Sequence, residues 1–242
     1  MNAPTATKRR TDTAAKTIVA GDRPIREINQ EIREAVMQGY TINVSEPLSR
    51  HNFAVGLTGD GSVHFAGSVG YYCGGLSNGG HIEVDGNSGW GTGEGMAAGH
   101  VTINGNAGTS VGASMRGGTI HVRGNAGPRC GIAQKGGNIV VEGNVGYYTG
   151  FMAHAGRIIC LGDAIDSVGD SLWEGTVWVA GNIEKLGVDA VVQKPAEKDV
   201  AEIEALLASL GVKAQKRDWK QIVAGKKLWY YEARDAKQWL MI

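Results

Sequence analysis

The chain has 242 residues, of which 38 are glycine, and its 24 Lys and Arg residues balance its 24 Asp and Glu residues. This length allows one elongated domain or two small ones, while the balanced charge argues against nucleic acid and membrane surfaces as partners. Glycine does not recur at every third residue, which excludes collagen, and the three cysteines form no CxxC pair, which favours a reducing, cytoplasmic compartment over a disulfide framework.

Two segments precede the repetitive part of the chain. Residues 1–17 hold no apolar run and predict a flexible tail, and no stretch of the chain holds 18 consecutive apolar residues that would predict a membrane span. Residues 18–60 predict a helix and a cap that leads into the repeats, with Pro24 near the start of the helix and Gly39 after its end. One face of this helix is apolar and carries Ile25, Ile28, Ile32 and Val36.

A glycine recurs every 19 residues through the middle of the chain. The repeated glycines are Gly67, Gly86, Gly105, Gly124, Gly143, Gly162 and Gly181. Other glycine columns follow the same period, so the unit reads roughly G-x-[IV]-x-[VIFC]-x-G-N-x-G-x-x-x-G. A fixed period of this kind is typical of a solenoid in which each unit stacks on the next.

Each unit contains one alternating strand pattern. The first inward column is Val63, Ile82, Val101, Ile120, Ile139, Ile158 and Val177. The second is Phe65, Val84, Ile103, Val122, Val141, Cys160 and Val179. Nineteen residues are too few for a crossover helix, so the units must stack as parallel coils. The sequence therefore predicts an all-β solenoid, a right-handed parallel β-helix of about seven coils over residues 61–190.

A polar column directly follows the repeated glycine. Five of its members are asparagines: Asn87, Asn106, Asn125, Asn144 and Asn182. Asparagine tolerates the left-handed backbone conformation that a coil corner needs, and stacked asparagines can form hydrogen bonds along the column. We therefore expect a structural ladder here and no catalytic array.

Residues 191–242 predict a second helix and an apolar docking tail. Pro195 precedes the helix and Gly211 follows it. The apolar face of the helix carries Ile203, Leu206, Leu207 and Leu210. The N- and C-terminal helices are expected to cap the open ends of the solenoid. The tail ends on Trp239, Leu240, Met241 and Ile242, and such a terminus is expected to dock on this chain or on a neighbour.

The glycine repeat resembles a known family of β-helices. The segments G-S-V-G-Y-Y-C-G at 67–74 and G-N-A-G-T-S-V-G at 105–112, with Asp22 and Arg23 before the first helix, resemble the β-helix at the C-terminal end of the glutamate synthase large subunit. A similar β-helix forms a separate subunit of formylmethanofuran dehydrogenases. The resemblance covers residues 22 to about 190. It weakens where Ile165 and Glu184 replace a repeat glycine, which predicts a distorted or ending stack.

A free-standing chain of this size is most similar to the β-helix subunits of the N-methylglutamate synthases (methylamine–glutamate N-methyltransferases). That resemblance implies a scaffold subunit with no catalytic, cofactor-binding or metal-binding residue of its own. Its partners would be a class II glutamine amidotransferase-like subunit and an FMN-binding glutamate-synthase-like subunit. FMN, with an iron–sulfur cluster as a further candidate, would belong to a partner.

Two other functions stay open at this point. The first is the β-helix subunit of a formylmethanofuran dehydrogenase or of a formyltransferase/hydrolase complex. The second is a stand-alone module or hydrolase that binds a saccharide through its aromatic side chains.

Aromatic residues supply the candidate interface. They are Tyr71, Tyr72, Trp90, Tyr147, Tyr148 and Trp178. Aromatic side chains anchor many protein interfaces, although they also serve as packing at solenoid edges. Trp178 shares an outward strand column with Val140 and Ile159, and this apolar patch predicts either a partner contact or a cover formed by the C-terminal segment of the chain.

Other reactive side chains have simpler interpretations. Cys73 and Cys130 lie three coils apart, roughly 14 Å at ~4.8 Å per coil, which excludes a disulfide and predicts small core residues. His81 and His100 lie on adjacent coils and predict a solvated or interface pair more readily than a metal site. Arg123 beside Glu142 predicts a surface ion pair.

Overall fold

A computed structural model describes residues 16–226. Within that range the chain forms a parallel β-solenoid of about seven turns, as predicted. Its strands are β1 (Lys16–Val19), β2 (Thr41–Ser45), β3 (Thr58–Ala66), β4 (Asn78–Val84), β5 (Ala98–Ile103), β6 (Thr119–Val122), β7 (Lys135–Val141), β8 (Ala155–Cys160), β9 (Thr176–Val179), β10 (Ala190–Gln193) and β11 (Lys220–Ala224). Its helices are α1 (Ile25–Met37) and α2 (Glu197–Ser209).

Equivalent residues of successive repeats pair with one another. Val63 pairs with Ile82, which in turn pairs with Val101, and the same parallel register continues from β3 to β9. The two predicted inward columns are confirmed, because every member is buried. Two more strands, β1 and β2, extend the parallel sheet before Gly61. Of the predicted tail 1–17, only Lys16 and Thr17 are described, and they belong to β1.

One corner of each coil has left-handed backbone at alternating residues. In the third coil these residues are Ser110, Gly112 and Ser114, with φ of 61°, 67° and 54°. The predicted left-handed conformation of the asparagine column is wrong, since none of its five members has a positive φ. The first and third of these left-handed sites are occupied by residues other than glycine, here Ser110 and Ser114. The middle site is glycine because a Cβ on Gly112 would lie 2.4 Å from Cδ1 of Ile139.

Helix α1 caps the first coil. The predicted apolar face is confirmed, with Ile28, Ile32 and Val36 fully buried. Asn29 lies on the same face, where its Nδ2 donates to the Asn52 carbonyl at 2.7 Å and its Oδ1 accepts from the Ala54 amide at 2.8 Å. The Asn29 side chain therefore provides a donor for one backbone carbonyl and an acceptor for one backbone amide of the first corner, which no preceding coil could supply.

The last coil is closed in a different way. Antiparallel β11 lies between β9 and β10 and so ends the parallel stack. The predicted irregularity near Glu184 is confirmed, because the spacing of bridged residues falls from 19 for Ala164 and Ile183 to 18 for Val168 and Leu186. The predicted docking tail lies outside the described residues from position 227 onwards. No helix within 16–226 is long and apolar enough to cross a bilayer.

Helix α2 covers the apolar end of the strand face. Ile203 and Leu207 of α2, together with Trp219, pack on Val140, Ile159 and Trp178. Trp178 is only 2% exposed. Of the two interpretations of the Trp178 patch, the cover formed by the C-terminal segment is confirmed and the partner contact is wrong, because α2 and Trp219 occupy its surface.

We expect Gly112→Ala to destabilise the fold more than Gly39→Ala. Both glycines have positive φ, but a Cβ at Gly39 meets nothing within 4 Å, so its variant carries the backbone cost alone. The clash with Ile139 should add about 1–3 kcal/mol to the loss at position 112. Urea unfolding of both variants measures this difference. Equal stabilities would contradict the steric explanation.

Candidate protein-interaction surface

The asparagine column forms a ladder of side-chain-to-backbone hydrogen bonds. Oδ1 of Asn87 accepts from the amide of Asn106 at 2.8 Å, and the same contact recurs from Asn106 to Asn125 and from Asn125 to Asn144. Asp163 continues the column and accepts from the amide of Asn182 at 2.7 Å. Each side chain thus binds the coil that follows it. The ladder is a structural device with no reactive group.

This ladder also explains the glycine that precedes each asparagine. The Oδ1 of Asn125 lies 2.4 Å from where a Cβ of Gly143 would be, and Asn106 stands in the same relation to Gly124. A side chain at the repeat glycine would therefore displace the bond that joins two coils. The G-N pair is a single structural unit.

Asn125→Ala should destabilise the solenoid by about 0.5–1.5 kcal/mol, because the amide of Asn144 loses its acceptor. Asn125→Asp keeps a side-chain oxygen, so its stability should stay close to that of the parent. Asp163 already accepts the equivalent hydrogen bond in the same column. Denaturant unfolding provides the comparison. If the Ala variant is as stable as the Asp variant, the ladder bond has no net effect.

Aromatic side chains form a first exposed patch on the N-terminal coils, at His51, Tyr71, Tyr72, Leu76 and Trp90. The ring of Tyr71 stacks on His51 at 4.1 Å and on Trp90 at 5.2 Å between centroids. Trp90 is 56% exposed and Leu76 is 69% exposed. The stacking holds the rings of this first aromatic patch in place while their edges face solvent.

A second aromatic patch lies on the C-terminal coils, at Tyr147, Tyr148, Phe151 and Met152. Tyr148 makes edge contacts with Tyr147 at 5.9 Å and with Phe151 at 5.5 Å. Tyr147, Tyr148 and Met152 are all exposed large side chains. Trp173 is also exposed and stacks on His154 at 5.9 Å, and His154 lies two residues after Met152.

The two aromatic patches hold equivalent places in the repeat. Tyr71 and Tyr147 are 76 residues apart, which is four coils of 19 residues. At ~4.8 Å per coil the separation is about 19 Å. The first patch continues to Trp90 on the next coil, and the two coils between Trp90 and Tyr147 present Thr109, Ser110, Pro128 and Arg129 at the same positions. A polar stretch therefore separates two apolar contact points on one edge of the solenoid.

Sequence reasoning missed several members of these patches. Leu76 and Met152 share one position of the repeat, and this equivalence could have identified both. His51 precedes Tyr71 by 20 residues, which is out of register with the 19-residue repeat, so only the structure places it in the stack.

Histidines and carboxylates occupy the part of the strand face that precedes the apolar cluster under α2. His64 lies 2.9 Å from Asp85, and Nε2 of buried His121 lies 2.8 Å from Oε1 of Glu142. The predicted Arg123–Glu142 ion pair is wrong, because Glu142 takes His121 instead and Arg123 has no ion pair among the described residues. Burial lowers the pKa of His121, although Glu142 opposes the shift.

The remaining candidates for metal or thiol chemistry are the His81–His100 pair and the three cysteines. Residues 16–226 contain no group of three His, Cys, Asp or Glu side chains that could hold a metal ion. His81 and His100 stack in parallel at 5.0 Å. All three cysteines are buried, as predicted, and burial raises the pKa of Cys73 and Cys160 to about 12. These thiols are not nucleophiles at neutral pH.

Stability should fall as the pH is lowered through 6.5, the ordinary pKa of histidine. Below that pH the unfolded chain takes up a proton that folded His121 resists, which costs up to ~1.4 kcal/mol per pH unit. We expect His121→Gln to show a smaller loss of Tm between pH 7.5 and 5.5. His154→Gln, on another edge, is the control. Parallel pH profiles for both variants and the parent would show that His121 is not the source of the pH dependence.

Comparison with protein-family models found no match to this chain, and comparison with curated proteins found no significant match.

Proposed function

We propose that the chain is a non-catalytic scaffold subunit of a glutamate-synthase-like enzyme complex. One observation carries the proposal: two exposed aromatic patches lie on one edge of a continuous solenoid, with Tyr71 and Tyr147 at equivalent positions four coils apart. Two contact points at a constant separation suit a subunit that holds two other subunits in register. Tyrosine and tryptophan are the residue types that most often contribute binding energy at interfaces.

The backbone beneath each aromatic patch supports a docking role. Tyr72 and Tyr148 occupy the same left-handed corner site, with φ of 59° and 58°. Their amides donate to the next coil, at 2.8 Å to the Trp90 carbonyl and at 3.1 Å to the Asp166 carbonyl. Side chains that project from a backbone held in this way lose little further freedom on binding, and this preorganisation favours affinity.

The resemblance of the glycine repeat guides the choice of complex. We propose N-methylglutamate synthase, which converts methylamine and L-glutamate to N-methyl-L-glutamate and ammonia in the cytoplasm. A class II glutamine amidotransferase-like subunit and an FMN-binding glutamate-synthase-like subunit would bind the two aromatic patches. FMN and the chemistry would belong to those partners, and the present chain would contribute only their spacing.

Affinity purification of the tagged full-length chain from its native cells, with mass spectrometry of the copurified proteins, tests the choice of complex. We expect an amidotransferase-like chain together with an FMN-containing chain. Amidohydrolase-like and formyltransferase chains would instead assign it to the formyl-transfer complexes. A monomer that copurifies with nothing would contradict the scaffold role and would favour the saccharide-binding module.

Single substitutions in the aromatic patches should remove one partner at a time. Trp90→Ala and Tyr147→Ala are each expected to cost about 2 kcal/mol of binding, or ~30-fold in Kd, for one partner and to leave the other unchanged. Thr109→Ala, in the polar stretch between the patches, is the matched control. Quantitative copurification measures all three variants. Retention of both partners by both aromatic variants would exclude the patches as docking sites.

A further inference from the structure

A groove lies between the strand face and the segment that follows α2. Its volume is about 510 Å³, within the range of ordinary ligand sites. Arg123, Glu142 and Leu161 line it from the strand face, while Val212 and Lys213 line it from the other side. The groove is distinct from both aromatic patches, which lie on the coil corners.

Cations outnumber carboxylates in this groove. Arg123 and Lys213 are exposed, and neither makes an ion pair within residues 16–226. The single carboxylate, on Glu142, is already engaged by His121 at 2.8 Å. Two cations without an ion pair therefore line the groove, Arg123 on the strand face and Lys213 on the segment after α2. An incoming carboxylate would gain from both of them.

A third cation, Arg217, holds the outer wall in place. Its side chain is 3% exposed, and its Nη1 donates to Oε2 of Glu204 at 2.8 Å. Its Nη2 donates to the carbonyl of Lys213 at 3.0 Å, which fixes the backbone at the rim. Arg217 lines the same wall, and its Nε is buried without a hydrogen-bond partner.

Aliphatic side chains provide the remaining surface. Leu161, Leu210 and Val212 are each partly exposed at the edge of the cluster around Trp178. A bare inorganic anion would leave this apolar surface uncovered. A nucleic acid would meet the carboxylates of Glu142, Glu83 and Asp85 along the same face, and these oppose a polyanion. The combination matches a short acidic segment that also carries aliphatic residues.

We propose that this groove binds an acidic, aliphatic peptide segment of a partner protein. A carboxylate of the segment lies between Arg123 and Lys213, and a neighbouring aliphatic side chain packs on Leu161 and Val212. The inference rests on the proposed scaffold role, because it names the chemistry by which one partner is recognised. It also gives the chain a third contact site, on a different face from the aromatic patches.

Fluorescence anisotropy with the purified full-length chain tests the groove without any native partner. The probe is a fluorescein-labelled five-residue peptide of alternating leucine and glutamate, and its matched control replaces glutamate with glutamine. We expect the acidic peptide to bind at least tenfold more tightly than the neutral one. Arg123→Gln and Lys213→Gln should each weaken that binding five- to tenfold. Arg116→Gln, an exposed cation outside the groove, should leave it unchanged.

Several results would overturn the proposal. Equal binding of the two peptides, or no binding of either, would show that the groove does not recognise a peptide carboxylate. A loss in Arg116→Gln as large as that in Arg123→Gln shows general charge attraction only. A dimer in sedimentation analysis that Arg123→Gln dissociates would assign the groove to a second copy of the chain. If copurification succeeds and the peptide fails, the groove alone is refuted, whereas peptide binding without copurified subunits refutes the scaffold role alone.

Discussion

The close approach of successive coils is the constraint on which the structure depends. A side-chain oxygen of one coil occupies the space that a Cβ would take in the next, as Oδ1 of Asn125 does beside Gly143, and it accepts the amide that follows. The glycine makes room and the asparagine supplies the acceptor. Neither residue is useful without the other, which explains why the two recur together at a spacing of 19.

The surface inherits this regular spacing. Because each coil rises by a constant amount, side chains at one position of the repeat form a straight column, and Tyr71 and Tyr147 are separated by four rises. Buried glycines such as Gly112 keep the corner tight against the core, while neighbouring left-handed sites accept tyrosine or serine. The fold can therefore vary its surface without altering its core.

The C-terminal segment divides one face of the solenoid into two parts. Helix α2 and Trp219 bury the apolar half around Trp178, and Arg157 adds an ion pair to Glu202 at 3.1 Å. The other half keeps histidines and carboxylates. The groove lies at the boundary, where the half-buried aliphatic edge of the covered part meets the unpaired cations Arg123 and Lys213. A binding surface that combines the two chemistries arises only at such a boundary.

The sequence by itself determined the solenoid, the inward strand columns and the positions of the aromatic side chains, because in a repeat fold each residue's main neighbour is one period away along the chain. The tertiary structure alone decided three other features. Helix α2 covers Trp178, Glu142 pairs with His121 instead of Arg123, and His51 joins the stack on Tyr71. Helix α2 and His51 lie outside the 19-residue register, and Glu142 lies two residues beyond Val140, the register partner of His121, so the match of equivalent positions does not predict these contacts.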